Sequence, residues 1–141
     1  VGAVITSAAV GEAMTPGTHG STFAGNPLAM AVAEVVLDTL SAPDFLTDVR
    51  RRAGLLERKL RYVAKCHPDK VREIRGRGFL RGVQLNEDVG ASDMVAALRE
   101  VKLLTAPAGD NTVRFLPPLT VTEDEIELAV CLFSETLSAW R

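Results

Sequence analysis

Several features that would decide where a protein works are missing from this sequence of 141 residues. No hydrophobic run approaches the ~20 residues that span a bilayer, so no membrane segment is expected. The opening residues, VGAVITSAAVGEAM, lack the basic segment of a secretory signal peptide. The formal net charge of -2 is too small for a nucleic-acid-binding protein, and basic residues are interleaved with acidic ones. We therefore expect a cytoplasmic protein with no nucleic-acid partner and no membrane partner.

Metal-binding and nucleophilic motifs are lacking as well. The two cysteines, Cys66 and Cys131, lie far apart and form no CxxC pair, which predicts two reduced thiols. His67 has no further ligands nearby in the sequence, so no metal is expected. His19 and Ser21 are two residues apart, but nothing supplies a third orienting group or a GxSxG elbow for a nucleophile.

Residues 1–40 predict a strand, a loop and a buried helix. Residues 1–6 show an apolar strand pattern, and Ser7 is a candidate cap for a brief helix over residues 7–14. Asn26 is a strong helix cap and Pro27 suits the first helical position, so a second helix is expected to begin there. That helix, LAMAVAEVVLDTL, is apolar almost all round and would need a larger body to cover it. Because Val1 is not methionine and already continues a strand pattern, we expect a fragment of a longer protein.

Residues 41–141 predict a separate α+β unit, with the boundary near residue 41. A helix over residues 44–64 has one apolar face, and the opposite face is expected to be solvated. Its charged residues are Arg50, Arg51, Arg52, Glu57, Arg58 and Arg61. From residue 71 the order is strand, strand, helix, strand, strand, helix, with Ser92 as a candidate cap and Thr122-x-x-Glu125 as a capping box. This order predicts a short, largely antiparallel sheet with helices on one face.

The loop over residues 15–26 carries the chemistry of an anion site. It places four hydroxyl side chains among glycines, directly ahead of a helix N-terminus. Glycines let the backbone approach a ligand closely, and hydroxyls, free N–H groups and the helix dipole suit a phosphate. The same residues also fit a polar loop with a well-made cap, and the residues alone leave both interpretations open.

Two further motifs allow opposed interpretations. Residues 76–82, GRGFLRG, have the spacing GxGxxxG and are followed by strand-like sequence, which favours a tight turn over a dinucleotide site. Arg114 lies mid-strand in TVRFLPP, where it fits either a carboxylate clamp or an edge-strand arginine in solvent.

Three segments, found in this order, resemble the class-III aminotransferases, a family of fold-type I enzymes that use pyridoxal 5'-phosphate (PLP). They are GTHGSTFAGNPLAMAVA, VREIRGRGFLRGVQL and NTVRFLPPLTVTEDEI. The resemblance covers essentially the whole chain. HGST and VRFLPPL are most similar to the acetylornithine-type members, and the ornithine-type members are almost as similar. Ala24, where many relatives have glycine, is a mild departure.

This resemblance implies roles for three residues and two domains. Thr22 would bind the PLP phosphate of the neighbouring subunit in a homodimer, Ser21 would line the substrate pocket, and Arg114 would grip the α-carboxylate of the substrate. Residues 1–40 would be the tail of the large PLP-binding domain, and residues 41–141 the C-terminal small domain.

The lysine that carries PLP as a Schiff base lies upstream of these segments in the family. None of the chain's four lysines, Lys59, Lys65, Lys70 and Lys102, lies in a matching context, so the resemblance implies no catalytic residue here.

The resemblance implies a parent enzyme that transfers the δ-amino group of N2-acetylornithine to 2-oxoglutarate in arginine biosynthesis. This chain would be inactive alone. An ornithine or succinylornithine aminotransferase of the same family is the alternative. A stand-alone α+β module that holds an anion or a partner through residues 18–22 is an alternative of another class, and the coding sequence before Val1 would discriminate between them.

Overall fold

The computed structural model describes residues 2–140. It divides into two compact units, Val1–Leu46 and Thr47–Arg141. The assignment of residues 1–40 and 41–141 to a large and a small domain stays a prediction.

The first unit has less regular structure than its sequence predicts. Helix α1 spans Ala8–Gly11, and the side chain of Ser7 makes no capping hydrogen bond. The strand predicted over residues 1–6 is wrong for residues 2–6, which form none, and Val1 lies outside the described residues. A strand needs a neighbouring edge to receive its N–H and C=O groups, and the described residues offer none to this segment.

Helix α2 spans Pro27–Ser41 and begins as predicted. The Asn26 Oδ1 accepts a hydrogen bond of 2.9 Å from the Ala29 N–H, and Pro27 occupies the first turn. None of the α2 residues is buried in this chain, and Leu28 and Val35 are largely exposed. The helix that composition predicts to be buried is therefore left uncovered by the described residues.

The second unit confirms the predicted α+β fold. Its elements are α3 (Phe45–Cys66, which begins in the first unit), β1 (Val71–Arg77), β2 (Leu80–Leu85), α4 (Ala91–Glu100), β3 (Ala106–Ala108), β4 (Thr112–Phe115) and α5 (Glu123–Ala139). The four strands form one sheet in the order β1-β2-β4-β3, and all three pairings are antiparallel.

One face of this sheet carries the core. Val83 of β2 and Val113 of β4 are opposite each other and fully buried. Phe115 meets Phe133 of α5 edge to face, with ring centroids 5.3 Å apart. The largest side chains excluded from solvent are Phe133, Leu56, Leu60, Met94, Leu98, Ile126, Leu137, Val83 and Val113. The opposite face of the sheet, where Gly82 and Arg114 lie, is open.

The predicted solvated face of α3 is wrong at Arg52. Its side chain is buried, bonds to Asp48 and to the Val121 carbonyl, and lies 6.0 Å from the centre of the Phe79 ring. A guanidinium with a carboxylate, a carbonyl and an aromatic face around it can be buried at an acceptable desolvation cost.

Short sequence motifs predicted the hairpin turn and most of the helix starts. The hairpin between β1 and β2 turns at residues 78–79, with Gly76 at φ 112° and Gly78 at φ 60°, which confirms the tight turn. The capping box of α5 is present, with the Thr122 hydroxyl accepting from the Glu125 N–H. Ser92 does not cap α4, because that helix begins one residue earlier and the Ala91 N–H donates to the Asn111 side chain.

Candidate functional site

The loop over residues 15–26 is held mainly by its own backbone. The Thr18 N–H and hydroxyl both donate to the Thr15 carbonyl, at 3.1 and 2.7 Å. The Ala24 N–H donates to the Ser21 carbonyl at 3.1 Å. The Asn26 side chain donates back to the Phe23 carbonyl at 2.7 Å, which ties the loop to the start of α2.

Ser21 and Thr22 differ in how much their side chains are used by the loop. The Ser21 hydroxyl accepts a long hydrogen bond, 3.4 Å, from the Phe23 N–H. The Thr22 hydroxyl has no hydrogen-bond partner within residues 2–140, and the residue is exposed. Thr22 therefore has a hydroxyl that no described residue uses, in the loop that precedes α2.

The charge of this loop limits what it can bind alone. Residues 15–26 contain no lysine or arginine, so apart from His19 the loop offers hydroxyl and amide groups to an anion. A phosphate dianion has three terminal oxygens, and one hydroxyl with nearby amides satisfies only part of them. The donor set fits one side of a phosphate whose other contacts come from elsewhere.

Arg114 lies on the open face of the sheet in the second unit. It is opposite Gly82 of β2 on one side and Ala106 of β3 on the other. Its guanidinium makes no hydrogen bond or ion pair with any other described residue. It lines a shallow cavity of about 320 Å³ together with Arg75, Leu80 and Thr112. An uncommitted guanidinium can receive a carboxylate through two parallel hydrogen bonds.

The structure places Ser21 and Thr22 together in the first unit and Arg114 in the second. The structure also brings Arg75 of β1 close to Arg114, and the sequence did not predict this neighbour. Arg75 shares the open face with Arg114, because both residues are opposite Gly82 across neighbouring strands. That relation depends on the strand register, which a single sequence does not reveal.

Two of the four lysines have structural partners in the second unit. The Lys59 ammonium is 2.8 Å from a Glu127 carboxylate oxygen. The Lys70 ammonium donates to the carbonyls of Leu137 and Trp140, at 2.7 and 3.0 Å, where α5 ends. That no lysine of this chain carries a cofactor stays a prediction.

Comparison with known proteins gives a consistent family. The family model described as aminotransferase class-III matches residues 1–137. Acetylornithine aminotransferase 1 of Bradyrhizobium diazoefficiens is 52% identical over 130 residues, which cover 92% of this chain and 32% of that protein. The acetylornithine aminotransferase structure from Elizabethkingia anophelis has a TM-score of 0.78 at 30% identity, and the match covers 93% of this chain and 33% of that one.

The ornithine aminotransferase structure from Plasmodium yoelii also has a TM-score of 0.78, at 28% identity, with 92% of this chain and 34% of that one covered. The chain thus spans about a third of the length of the relatives that it matches.

Proposed function

This chain belongs to the class-III aminotransferase family, and from that premise we propose that it is the C-terminal part of a PLP-dependent acetylornithine aminotransferase. The parent enzyme would transfer the δ-amino group of N2-acetylornithine to 2-oxoglutarate, a step of arginine biosynthesis, as a cytoplasmic homodimer. The observation that carries the proposal is Arg114, an uncommitted guanidinium on the open sheet face, since both substrates are acids with an α-carboxylate.

Arg114 would bind and orient the substrate acid. Its guanidinium carries a positive charge, which attracts a carboxylate. Two parallel hydrogen bonds fix the carboxylate in one plane, which orients the rest of the substrate. The amino acid that donates and the keto acid that accepts have this group in common, so one arginine can serve both.

The loop fits a share of the PLP phosphate. The Thr22 hydroxyl and nearby amides are neutral donors, and they suit the second side of a phosphate that is held elsewhere by its own subunit. Ser21 would border the substrate pocket beside it. When bound, PLP supplies the electron sink for amino-group transfer. The homodimer in this proposal rests on the family resemblance, which assigns Thr22 to the partner's cofactor.

The 141-residue chain by itself is expected to be inactive. Lys59 and Lys70 already hold structural partners, and no lysine lies in the sequence context of the cofactor-carrying residue. Mixing the chain with PLP should give no saturable absorbance of a lysine-bound cofactor. A saturable signal of one PLP per chain would count against this part of the proposal.

The decisive experiment compares Arg114→Ala with the unaltered full-length enzyme. Loss of two hydrogen bonds to a charged group should lower kcat/KM for N2-acetylornithine and 2-oxoglutarate by roughly 100-fold or more, with PLP still bound. Unchanged kinetics would remove Arg114 from the site. A donor panel of N2-acetylornithine, ornithine and N2-succinylornithine then identifies the amino donor.

A matched pair of variants tests the loop. Thr22→Ala should raise the dissociation constant of PLP by about tenfold, because it removes one hydrogen bond to a charged group. Thr18→Ala is the control, because the Thr18 hydroxyl donates to the Thr15 carbonyl within the loop. Equal PLP retention in both variants would show that Thr22 makes no contact with the phosphate.

An ornithine aminotransferase is the second candidate. It is favoured by the structural match to the Plasmodium yoelii enzyme of that name. Higher kcat/KM for ornithine than for N2-acetylornithine in the donor panel would decide for it.

A further inference from the structure

The side chain of Arg75 crosses the sheet on its open face. Arg75 of β1 is opposite Gly82 of β2, and Gly82 is opposite Arg114 of β4. The Arg75 Nη2 donates to the Thr112 hydroxyl of β4 at 2.8 Å, which spans the intervening strand. Adjacent strands are about 4.8 Å apart, so β1 and β4 lie roughly 10 Å apart, and the Arg75 and Thr112 side chains together bridge that distance.

Gly82 makes this crossing possible. A Cβ atom at position 82 would lie 2.9 Å from the Thr112 methyl group and 3.4 Å from the Arg75 Cγ. Any side chain there would meet the arginine stem and the threonine that it bonds. The backbone of Gly82 has an ordinary conformation, so the requirement is for space rather than for a positive φ.

The charge of Arg75 is already matched by its neighbours. Its guanidinium lies 3.3 Å from a carboxylate oxygen of Asp110 and 3.7 Å from one of Glu73. It also approaches the Gly109 carbonyl at 3.4 Å. Arg114 has no such partner among the described residues. The two arginines of this face are therefore not equivalent: one is committed to the protein and the other is open to a ligand.

The contacts of Arg75 converge on the segment that carries Arg114. They hold the turn at residues 109–110 and the first residue of β4, two positions before Arg114. This turn has two non-glycine residues in the left-handed region, Asp110 at φ 56° and Asn111 at φ 50°. The Thr112 hydroxyl donates in turn to the Asp110 carbonyl at 3.1 Å. Since β3 and β4 have only three and four residues, few ladder hydrogen bonds resist their displacement.

We propose that Arg75 is a positioning residue for Arg114: by tethering β4 and its preceding turn across Gly82, it fixes the site at which Arg114 meets the substrate carboxylate. This inference rests on the proposed function of Arg114. Arg75 itself does not touch the substrate. A displacement of about 1 Å at a substrate-binding group can lower the rate on the order of 100-fold, so a tether two residues away has a measurable effect.

The test is a double-mutant cycle in the full-length holoenzyme with two kinds of amino donor. One donor carries an α-carboxylate, and the other is a primary amine of similar length without one. Arg75→Met should lower kcat/KM for the carboxylate donor by roughly 10- to 100-fold, mainly through a higher KM. The kcat/KM for the amine without a carboxylate should not change. In the Arg114→Ala background, Arg75→Met should add no more than about twofold, because the residue through which it acts is gone.

Two further variants make the test decisive. Arg77→Met is the matched control, since Arg77 lies on the same strand and face and makes no hydrogen bond or ion pair with a described residue of β4. It should leave both donors unaffected. Thr112→Val removes the hydroxyl with little change of shape and should reproduce the pattern of Arg75→Met. If Arg75→Met does not fold, the result of Thr112→Val alone decides.

Two outcomes would overturn the inference. An equal loss of kcat/KM with both donors would make Arg75 a general structural residue. If Arg75→Met lowered kcat/KM in the Arg114→Ala background as much as in the unaltered enzyme, Arg75 would act independently of Arg114. Failure of the proposed function is a different result, in which Arg114→Ala alone leaves the carboxylate donor unaffected.

Discussion

Replacing Glu57 by glutamine removes the negative charge from the ion pair between Glu57 and Arg81. The two partners differ in how far they are buried. The Arg81 Nη2 lies 2.6 Å from a Glu57 carboxylate oxygen, with the arginine side chain 7% exposed and the glutamate side chain 31% exposed. Arg81 also donates to the Gly76 carbonyl at 2.7 Å. Its Nε is buried without a partner among residues 2–140. Arg81 therefore depends on Glu57 for its only carboxylate in the described structure.

Glu57, in contrast, has a second arginine. Arg61, one turn along α3, donates to the other side of the carboxylate through Nε and Nη2, at 3.0 and 2.9 Å. It is largely exposed. Loss of Arg81 leaves Glu57 paired and partly hydrated, whereas loss of the Glu57 charge leaves a cation buried alone.

The magnitudes follow from this asymmetry. Breaking a fully buried pair costs roughly 3–5 kcal/mol, and access of water to Glu57 reduces the expected cost of Glu57→Gln to about 2 kcal/mol. Arg81→Met replaces the buried cation and its unpaired Nε by an apolar chain, and should cost no more than about 1 kcal/mol. Arg61→Gln is the control on the same carboxylate, with an expected cost of about 0.5 kcal/mol or less for an exposed helical pair.

Urea unfolding of the chain, followed by circular dichroism at pH 7, measures all three variants. The reasoning requires that Glu57→Gln destabilises more than either Arg81→Met or Arg61→Gln. If Arg81→Met proved the most destabilising of the three, the buried arginine would contribute more by its packing than it costs by its charge, and the argument would be refuted.

Three more predictions concern the same unit. Hydrogen bonds from Arg61 and the nearby charge of Arg81 hold the pKa of Glu57 below its ordinary value of 4.5, against partial burial, which raises it. The ionised Glu57 carboxylate therefore stabilises the fold fully above pH 4.5, and this stabilisation is lost as the pH falls through the lowered pKa. In the Glu57→Gln variant, the urea midpoint should therefore fall less steeply as the solution is acidified. Thr122→Ala removes the hydroxyl of the α5 capping box and should cost about 1 kcal/mol, seen as a lower thermal midpoint; no change would mean that the cap is redundant. Gly76→Ala would place a Cβ atom 2.1 Å from the Leu80 carbonyl oxygen at φ 112°, and should cost well over the ~1 kcal/mol expected for Gly78→Ala, whose Cβ would meet nothing within 4 Å. Similar urea midpoints for the two alanine variants would contradict that contrast.

Features set by neighbouring residues were predictable from the sequence. The start of α2 at Asn26-Pro27 and the capping box at Thr122 involve hydrogen bonds over three residues, so the sequence specifies both donors and acceptors. The glycine-rich turn before β2 follows from the backbone freedom of Gly76 and Gly78. The order of strands and helices after residue 71 was predictable from their hydrophobic periods.

Features that depend on distant partners were not predictable. The strand pattern at residues 2–6 forms no strand, because the described residues offer it no edge to pair with. Arg52 was expected in solvent from its place among charged residues, yet Val121 and the Phe79 ring surround it. A helical wheel shows which side chains share a face and carries no information about what packs on that face.

The candidate site divides in the same way. By itself, the sequence determined the hydroxyl-rich loop with Thr22 ahead of a capped helix, and the mid-strand arginine at position 114, because local residue types specify this chemistry. Only the tertiary structure decided that Arg75 crosses Gly82 to hold the strand of Arg114. That contact is created by the register of three strands, and register is fixed by burial of a whole sheet face rather than by any one residue.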